Sequence, residues 1–275
     1  MLTEADFRVY IDGFNRSDFA AFSRFYAPDV EFSGRAAQLK GRDAVVQFYR
    51  DVKSRVRETL TLHGLVVGPQ AMVADLETQL EALSDWPDFP TGPLRRGETR
   101  RSQNFIWYDI AADRFTRIRS AHYRRIESGA TVSDMVAIPG TAMTARRFAE
   151  YIDAFNRGDT AGYAGYYGND VVLDVAGKQQ LHGPQAIMDF YRQVRSQTRR
   201  TIEIVKVLGE GNRLAAELQS EFLALEDIPE FTAGAMKKGD RTYINTIVLY
   251  EVRDSQFVRI RSAELRKERR GVISG

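Results

Sequence analysis

The hydrophobic positions in the first half of the chain are spaced mainly three and four residues apart up to residue 54 and two residues apart after it. Residues 4–16 place Phe7, Tyr10, Ile11 and Phe14 at helical spacings, which predicts an amphipathic helix. The same reasoning predicts helices over 19–26 and 41–54, a short strand over 29–33, and alternating strands over 59–67, 71–84, 98–110 and 114–125. This order predicts an α+β fold class, with a curved antiparallel sheet, helices covering its concave face and a pocket between them.

The chain carries the same domain twice. The recurring segments are YIDGFNRSD (10–18) with YIDAFNRGD (151–159), FYRDVKS (48–54) with FYRQVRS (190–196), and FTRIRSA (115–121) with FVRIRSA (257–263). The first pair is separated by 141 residues and the other two by 142, so one inserted residue aligns all three. These collinear matches predict a first domain over 1–127, a linker over 128–143 and a second domain over 144–275.

Composition narrows the class of protein. The 275 residues include 39 Lys and Arg against 37 Asp and Glu, a net charge of +2 that argues against nucleic-acid binding through charge. There is no cysteine, which excludes disulfides and Cys-ligated metals. No apolar run approaches the roughly 18–20 residues of a membrane span, and no basic segment followed by an apolar stretch indicates a secretory signal. We therefore expect a soluble, cytoplasmic protein that binds neither membranes nor nucleic acids.

In this element order, the YIDGFNRSD, FYR and RIR segments resemble the nuclear transport factor 2-like superfamily and, within it, the SnoaL-like branch. This superfamily includes ketosteroid isomerase, polyketide cyclases, scytalone dehydratase and cofactor-free lyases that act on lignin-derived aromatic dimers. The resemblance implies two tandem cone-shaped α+β barrels. Because family members usually dimerise through their sheets, it also implies an internal pseudo-dimer, with further homo-oligomerisation left open.

Closer resemblances assign roles to individual residues. The YIDGFNRSD segment is similar to the ketosteroid isomerase segment that carries an oxyanion-stabilising tyrosine, which implies that role for Tyr10. SQNFIWY is similar to the scytalone dehydratase strand whose Ser-x-Asn pair faces the pocket, here Ser102 and Asn104. RETLTLH is similar to that enzyme's strand with an acid/base histidine, here His63. The isomerase's catalytic aspartate has no counterpart, because Gly34 occupies its position.

The two copies differ at the candidate positions. The aligned pairs are His63 with Val205, Ser102 with Ile244, Asn104 with Thr246, and His122 with Glu264. The second copy therefore lacks both histidines and part of the polar set. We expect the first copy to be catalytic and the second mainly structural.

Strand alternation groups the candidate residues. With the Ser-x-Asn pair facing the pocket, one face of that strand carries Arg100, Ser102, Asn104, Ile106 and Tyr108. The resemblance likewise turns Ile118, Ser120 and His122 of the last strand inward. Aromatic residues near the late strands favour an aromatic ligand, and the WPDFPTGP loop (86–93) is a candidate lid. The predicted substrate contacts are Trp86, Phe89, Arg100, Tyr108 and Ser120.

These groups suit acid/base chemistry without a cofactor. Histidine, with an ordinary pKa of about 6.5, exchanges protons near neutrality. His63 would act as base or acid with His122 as its proton-transfer partner. Ser102 and Asn104 would orient a hydroxyl or water, and Tyr10 would stabilise a phenolate or enolate-like oxygen. Structural roles remain open: His63 as a hydrogen-bonded strand residue, Tyr10 as core, and Trp86 as a hydrophobic plug.

Other site classes lack their motifs. The sequence contains no His-x-x-x-His pair, Gly-x-Gly-x-x-Gly loop or Gly-x-Ser-x-Gly elbow, so we expect neither a metal nor another cofactor. The leading hypothesis is a cofactor-independent lyase or isomerase acting on a hydrophobic, aromatic, hydroxylated small molecule. Family analogy favours elimination, or loss of formaldehyde from a lignin-type phenolic dimer. A polyketide cyclase and a non-catalytic binding module are the alternatives.

Overall fold

The computed structural model describes residues 1–135 and 140–270. The chain divides into two compact units, Met1–Val136 and Ala137–Gly275. The first unit contains α1 (Glu4–Asn15), α2 (Phe19–Ser23), β1 (Tyr26–Ser33), β2 (Gln38–Lys40), α3 (Arg42–Arg55), β3 (Val56–Val67), β4 (Ala71–Ala82), β5 (Thr99–Ala111) and β6 (Arg114–Ile126). The second repeats this order with α4 (Ala145–Arg157), α5 (Thr160–Ala164), β7 (Tyr167–Val175), β8 (Gln179–His182), α6 (Gly183–Gln197), β9 (Thr198–Glu210), β10 (Arg213–Ala224), β11 (Arg241–Arg253) and β12 (Gln256–Arg270).

The α+β class and the repeat are confirmed. Within the predicted linker, residues 136–139 lie outside the described part of the chain, as do residues 271–275 of the predicted second domain. No helix in the described ranges is long and apolar enough to cross a membrane.

The first helix forms as its pattern predicts. A capping box begins it, in which the Asp6 amide donates to Thr3 Oγ1 at 3.2 Å and the Thr3 amide donates to Asp6 Oδ2 at 2.9 Å. Phe7, Tyr10 and Phe14 are buried on its inner face. The predicted second helix is shorter than 19–26 because β1 already begins at its last residue.

The four long strands of each unit form an antiparallel sheet. Their order is β3-β4-β5-β6 in the first unit and β9-β10-β11-β12 in the second. The first strand of each unit joins this sheet in parallel, β1 beside β6 and β7 beside β12. The predicted curved antiparallel sheet is confirmed, and this parallel pairing and the short strands β2 and β8 are additions to it. These features depend on which strands pair with one another within a unit, and the local sequence does not encode that pairing.

An asparagine in the repeated YIDxFN segment attaches α1 to β3. Asn15 Nδ2 donates to the Leu60 carbonyl at 2.9 Å, and the Leu60 amide donates to Asn15 Oδ1 at 2.8 Å. Asn156 makes the same pair of bonds to Ile202 in the second unit, both at 2.8 Å. Because the amide satisfies both backbone groups of one strand residue, it fixes where the helix crosses the sheet.

Candidate active site

A cavity of about 480 Å³ lies in the first unit. It is bounded by side chains of α1, β1, α3, all four long strands and the loop before β5. Its apolar lining includes Phe14, Phe32, Phe48, Leu60 and Ile106. Pockets of roughly 300–1,000 Å³ hold drug-sized ligands, so this volume suits a small organic molecule.

Most of the predicted site residues meet at this cavity. Those that line it are Tyr10, Phe89, Arg100, Ser102, Asn104, Tyr108, Ser120 and His122. The predicted inward residues of β5 and β6 are all among the lining residues, as are Ile106 and Ile118. Two predicted residues, His63 and Trp86, lie elsewhere in the described structure.

A hydrogen-bonded polar wall crosses three neighbouring strands. Asn104 Nδ2 donates to Ser102 Oγ at 3.1 Å and to Thr78 Oγ1 at 3.2 Å. Asn104 Oδ1 lies 3.3 Å from His122 Nδ1. Because an amide oxygen can only accept, this contact requires a proton on Nδ1 and leaves the lone pair of a neutral ring on Nε2. Among the described residues, Nε2 has no hydrogen-bond partner.

The cavity favours the neutral form of His122. Burial lowers the pKa of this imidazole below its ordinary value, and the positive charge of Arg35 lowers it further. At neutral pH the ring is therefore uncharged, with Nε2 available as a proton acceptor. His122 has the protonation state of a general base.

Glu58 is a second acid/base group of the cavity and is not among the site residues predicted from the sequence. Its β3 position pairs with Leu80, and both residues line the cavity. Burial raises the pKa of the Glu58 carboxyl to about 7, although the Lys53 charge opposes this rise. A large fraction of the carboxyl is therefore protonated at neutral pH, as a general acid requires.

Tyr10 belongs to a buried group of tyrosines. Its hydroxyl lies 3.1 Å from that of Tyr26, and burial raises the pKa of Tyr10 to about 12. The phenol therefore stays protonated and can donate a hydrogen bond to an oxyanion. Tyr151 and Tyr167 repeat the contact at 3.2 Å in the second unit, so the pair also serves the core.

The structure corrects the expected position of His63. Its Nδ1 lies 2.7 Å from Asp134 Oδ1 and its Nε2 lies 3.2 Å from Glu77 Oε2. The alternation that turns Leu60 and Leu62 toward the core sends His63 to the opposite face, and the strand register shifts at this residue. Both ring nitrogens are thus occupied by carboxylates away from the cavity, which matches the structural role left open above.

The structure also corrects the position of Trp86. Phe89 is buried and lines the cavity, whereas Trp86 packs against Phe89 with ring centroids 4.9 Å apart. Paired backbone hydrogen bonds with Leu94 at 2.8 and 2.9 Å hold Trp86 in place. The predicted lid loop therefore contributes Phe89 as a wall residue, and Trp86 supports it from behind.

Two signals in the sequence could have identified Glu58. It shares the alternation of Leu60 and Leu62, which places it on the inward face of its strand. In addition, it aligns with Arg200 in the second copy, a reversal of charge at an inward position. The resemblance of the RETLTLH segment points to His63 instead.

Within residues 1–135 and 140–270, no three His, Cys, Asp or Glu side chains are grouped so that they could hold a metal ion.

A model of the SnoaL-like domain matches residues 7–118 and again residues 148–260. The chain belongs to the SnoaL-like domain family. Its two domains correspond to the two compact units, and the cavity lies in the first SnoaL-like domain. A comparison with curated proteins found no match.

Solved structures similar to this chain each cover about one domain of it. A SnoaL-like polyketide cyclase from Agrobacterium tumefaciens is 19% identical, covers 44% of this chain and 92% of its own, and has a TM-score of 0.37. An LEH-like epoxide hydrolase from Mycobacterium tuberculosis is 14% identical, with coverages of 43% and 80% and a TM-score of 0.36. A protein with a ketosteroid isomerase-like fold from Catenulispora acidiphila is 8% identical, with coverages of 43% and 85% and a TM-score of 0.36.

The second SnoaL-like domain has a different interior at the position of Glu58. The Arg200 guanidinium lies 5.3 Å from the ring centroid of Phe155, 5.7 Å from that of Tyr191 and 4.9 Å from that of Phe222. It also donates to Ser220 Oγ at 3.0 Å. A guanidinium keeps its proton at any ordinary pH and cannot exchange it as Glu58 can. The acid/base set of the first domain is therefore not repeated.

Proposed function

We propose that the first SnoaL-like domain is a cofactor-independent lyase or isomerase that acts by general acid/base catalysis on a hydrophobic, aromatic, hydroxylated small molecule. One observation carries the proposal: a carboxyl with a pKa of about 7 and a neutral imidazole line the same cavity. Two titratable groups whose surroundings move their pKa values in opposite directions are typical of an acid/base pair. The second domain serves as structural support.

The proposal gives each lining group a role. Protonated Glu58 acts as the general acid, and His122 Nε2 acts as the general base. Asn104 orients the imidazole through Nδ1 and, with Ser102, orients the substrate hydroxyl. Tyr10 donates a hydrogen bond to a phenolate or enolate-like oxygen. His63 has no role in this mechanism.

Elimination or loss of formaldehyde from a lignin-type phenolic dimer is the favoured reaction. Glu58 protonates a benzylic hydroxyl, which leaves as water while the para phenol becomes a quinone methide and releases its proton to solvent. His122 then removes the proton of a neighbouring hydroxymethyl group, the carbon–carbon bond breaks, and formaldehyde leaves. The bonding electrons restore the aromatic ring, the phenolate takes the proton from His122, and Glu58 recovers one from water.

Product analysis tests this proposal. We expect the purified full chain to release formaldehyde and an alkenyl phenol in equal amounts from a phenolic diaryl dimer that carries benzylic hydroxyl and hydroxymethyl groups. The O-methylated dimer cannot form the quinone methide and should give neither product. If the protein instead converts an enolisable polyketone and leaves the dimer unchanged, its activity is that of a polyketide cyclase. Binding of both compounds without turnover would identify a binding module.

The pH dependence offers a second test through Lys53. Because Glu58 must be protonated to act as an acid, we expect kcat/KM to fall as pH rises above about 7. The Lys53 charge lowers the pKa of Glu58, so Lys53→Met should move this alkaline limb to higher pH. Lys40→Met removes an exposed charge from a residue outside the cavity lining and should leave the profile unchanged. If the alkaline limb of the kcat/KM profile does not move in Lys53→Met, the group that titrates there is not Glu58.

A further inference from the structure

The lining of the cavity carries more positive than negative charge. Its arginines are Arg35, Arg100, Arg101 and Arg125. Two of them are neutralised by carboxylates: Arg100 Nε donates to Glu98 Oε1 at 2.7 Å, and Arg101 Nε donates to Glu77 Oε1 at 2.6 Å. The other two make no ion pair or hydrogen bond among the described residues.

Arg35 and Arg125 are both exposed, which places them where the cavity meets solvent. Their charges reach the groups around the opening: Arg35 adds to the effect of burial in lowering the pKa of His122. Arg125 makes a smaller addition to the hydrogen bond from Arg100 in lowering the pKa of Glu98. A guanidinium group presents several donors in a fork that matches a carboxylate. Two such forks without partners, at the edge of an apolar cavity, form a receptor for an anionic group.

We propose that the substrate carries a carboxylate, which Arg35 and Arg125 bind at the cavity opening while the aromatic part occupies the apolar interior. This inference rests on the proposed function only in placing the substrate in this cavity. It narrows the substrate class to hydroxylated aromatic acids.

The second domain provides an internal comparison. Arg125 aligns with Lys267, whose Nζ donates to the Ala233 carbonyl at 3.2 Å. Arg35 aligns with Ala176 at the spacing of 141 residues. The second domain therefore lacks the guanidinium pair, and the carboxylate site is specific to the domain that carries the acid/base groups.

A carboxylate bound at Arg35 would also affect the basicity of His122. Arg35 disfavours a positive charge on His122, and a carboxylate seated on Arg35 would offset that charge. Substrates with the carboxylate would therefore meet a more basic imidazole than neutral substrates of the same shape. Binding and proton transfer are coupled through this arginine.

A matched pair of probes tests the carboxylate site without requiring turnover. We expect 4-hydroxycinnamate to bind the full chain at least about tenfold more tightly than 4-hydroxycinnamamide, measured by titration calorimetry at low salt, because hydrogen bonds to a charged group contribute more than neutral ones. The preference should shrink as salt is added, since exposed charges are screened.

Arginine variants locate the preference. Arg35→Gln and Arg125→Gln should each reduce the acid-to-amide affinity ratio several-fold, and the double variant should abolish it. Arg16→Gln removes an equal charge from the exposed residue that follows α1, outside the cavity lining, and should leave the ratio unchanged. Equal affinities in the unmodified protein, a ratio that survives the double variant, or no binding of either probe would overturn the inference. Lack of turnover with a retained, arginine-dependent ratio would count against the proposed reaction alone.

Discussion

Replacing Glu58 by glutamine is expected to lower turnover by about 10²- to 10⁴-fold and, at the same time, to stabilise the protein above pH 7. Glutamine preserves the shape of the side chain but cannot donate a proton as an acid. The loss should appear mainly in kcat, because the apolar lining that binds the substrate is unchanged.

The gain in stability follows from the same carboxyl. Its pKa is about 7 in the folded protein and about 4.5 in an unfolded chain, so the folded state binds more protons between these values. The stability of the unmodified protein therefore falls as pH rises from 4.5 to 7, by up to about 3 kcal/mol. Glu58→Gln removes this cost, which should raise Tm at pH 8 and have little effect near pH 4.5.

Thermal unfolding at the two pH values measures this effect. Glu81→Gln is the matched control, because Glu81 forms an exposed ion pair with Arg57 and should give no gain at pH 8. Equal Tm values for Glu58→Gln and the unmodified protein at pH 8 would show that the cavity does not hold Glu58 in its protonated form. The role of Glu58 as general acid would then fail as well.

Replacing His122 by glutamine is expected to reduce kcat by about 10²- to 10⁴-fold with little change in fold. Glutamine can still bond to Asn104, so the polar wall is kept, but its amide is not a base at neutral pH. The measurement is kcat and KM for the substrate identified by product analysis, with circular dichroism to confirm folding.

His63→Val provides the control for this variant. It installs the residue found at the aligned position of the second domain, Val205, and removes an imidazole that lies away from the cavity. Glu77 keeps its bond to Arg101, so the variant should fold and retain kcat within about twofold. A large loss in His63→Val together with normal activity in His122→Gln would reverse the assignment of the base.

Some features of the site follow from local sequence because they depend on alternation alone. Along β5, Ser102, Asn104 and Tyr108 share one face, and a strand with period two cannot place them otherwise. His122 on β6 obeys the same rule. The resemblance set which face turns inward, and the lining of the cavity agrees with it.

Other features depend on residues that are distant in the chain. Nothing in the segment RETLTLH shows that Glu58 lies in a cavity, because other walls of that cavity are side chains from α1, α3 and β4. The histidine of that segment looked more reactive by residue type, yet its ring contacts Glu77 of the neighbouring strand β4 and Asp134, away from the cavity.

The sequence by itself determined the duplication, the order of the helices and of all strands except the short β2 and β8, and which residues of β5 and of β6 share a face, because each of these is encoded in spacing along the chain. Only the tertiary structure decided which titratable groups share a dry cavity. A pKa depends on burial and on neighbouring charges, and both arise when distant segments pack together. The candidate acid/base partner of His122 is therefore Glu58, which the tertiary structure places in the cavity, and not His63, which the sequence suggested.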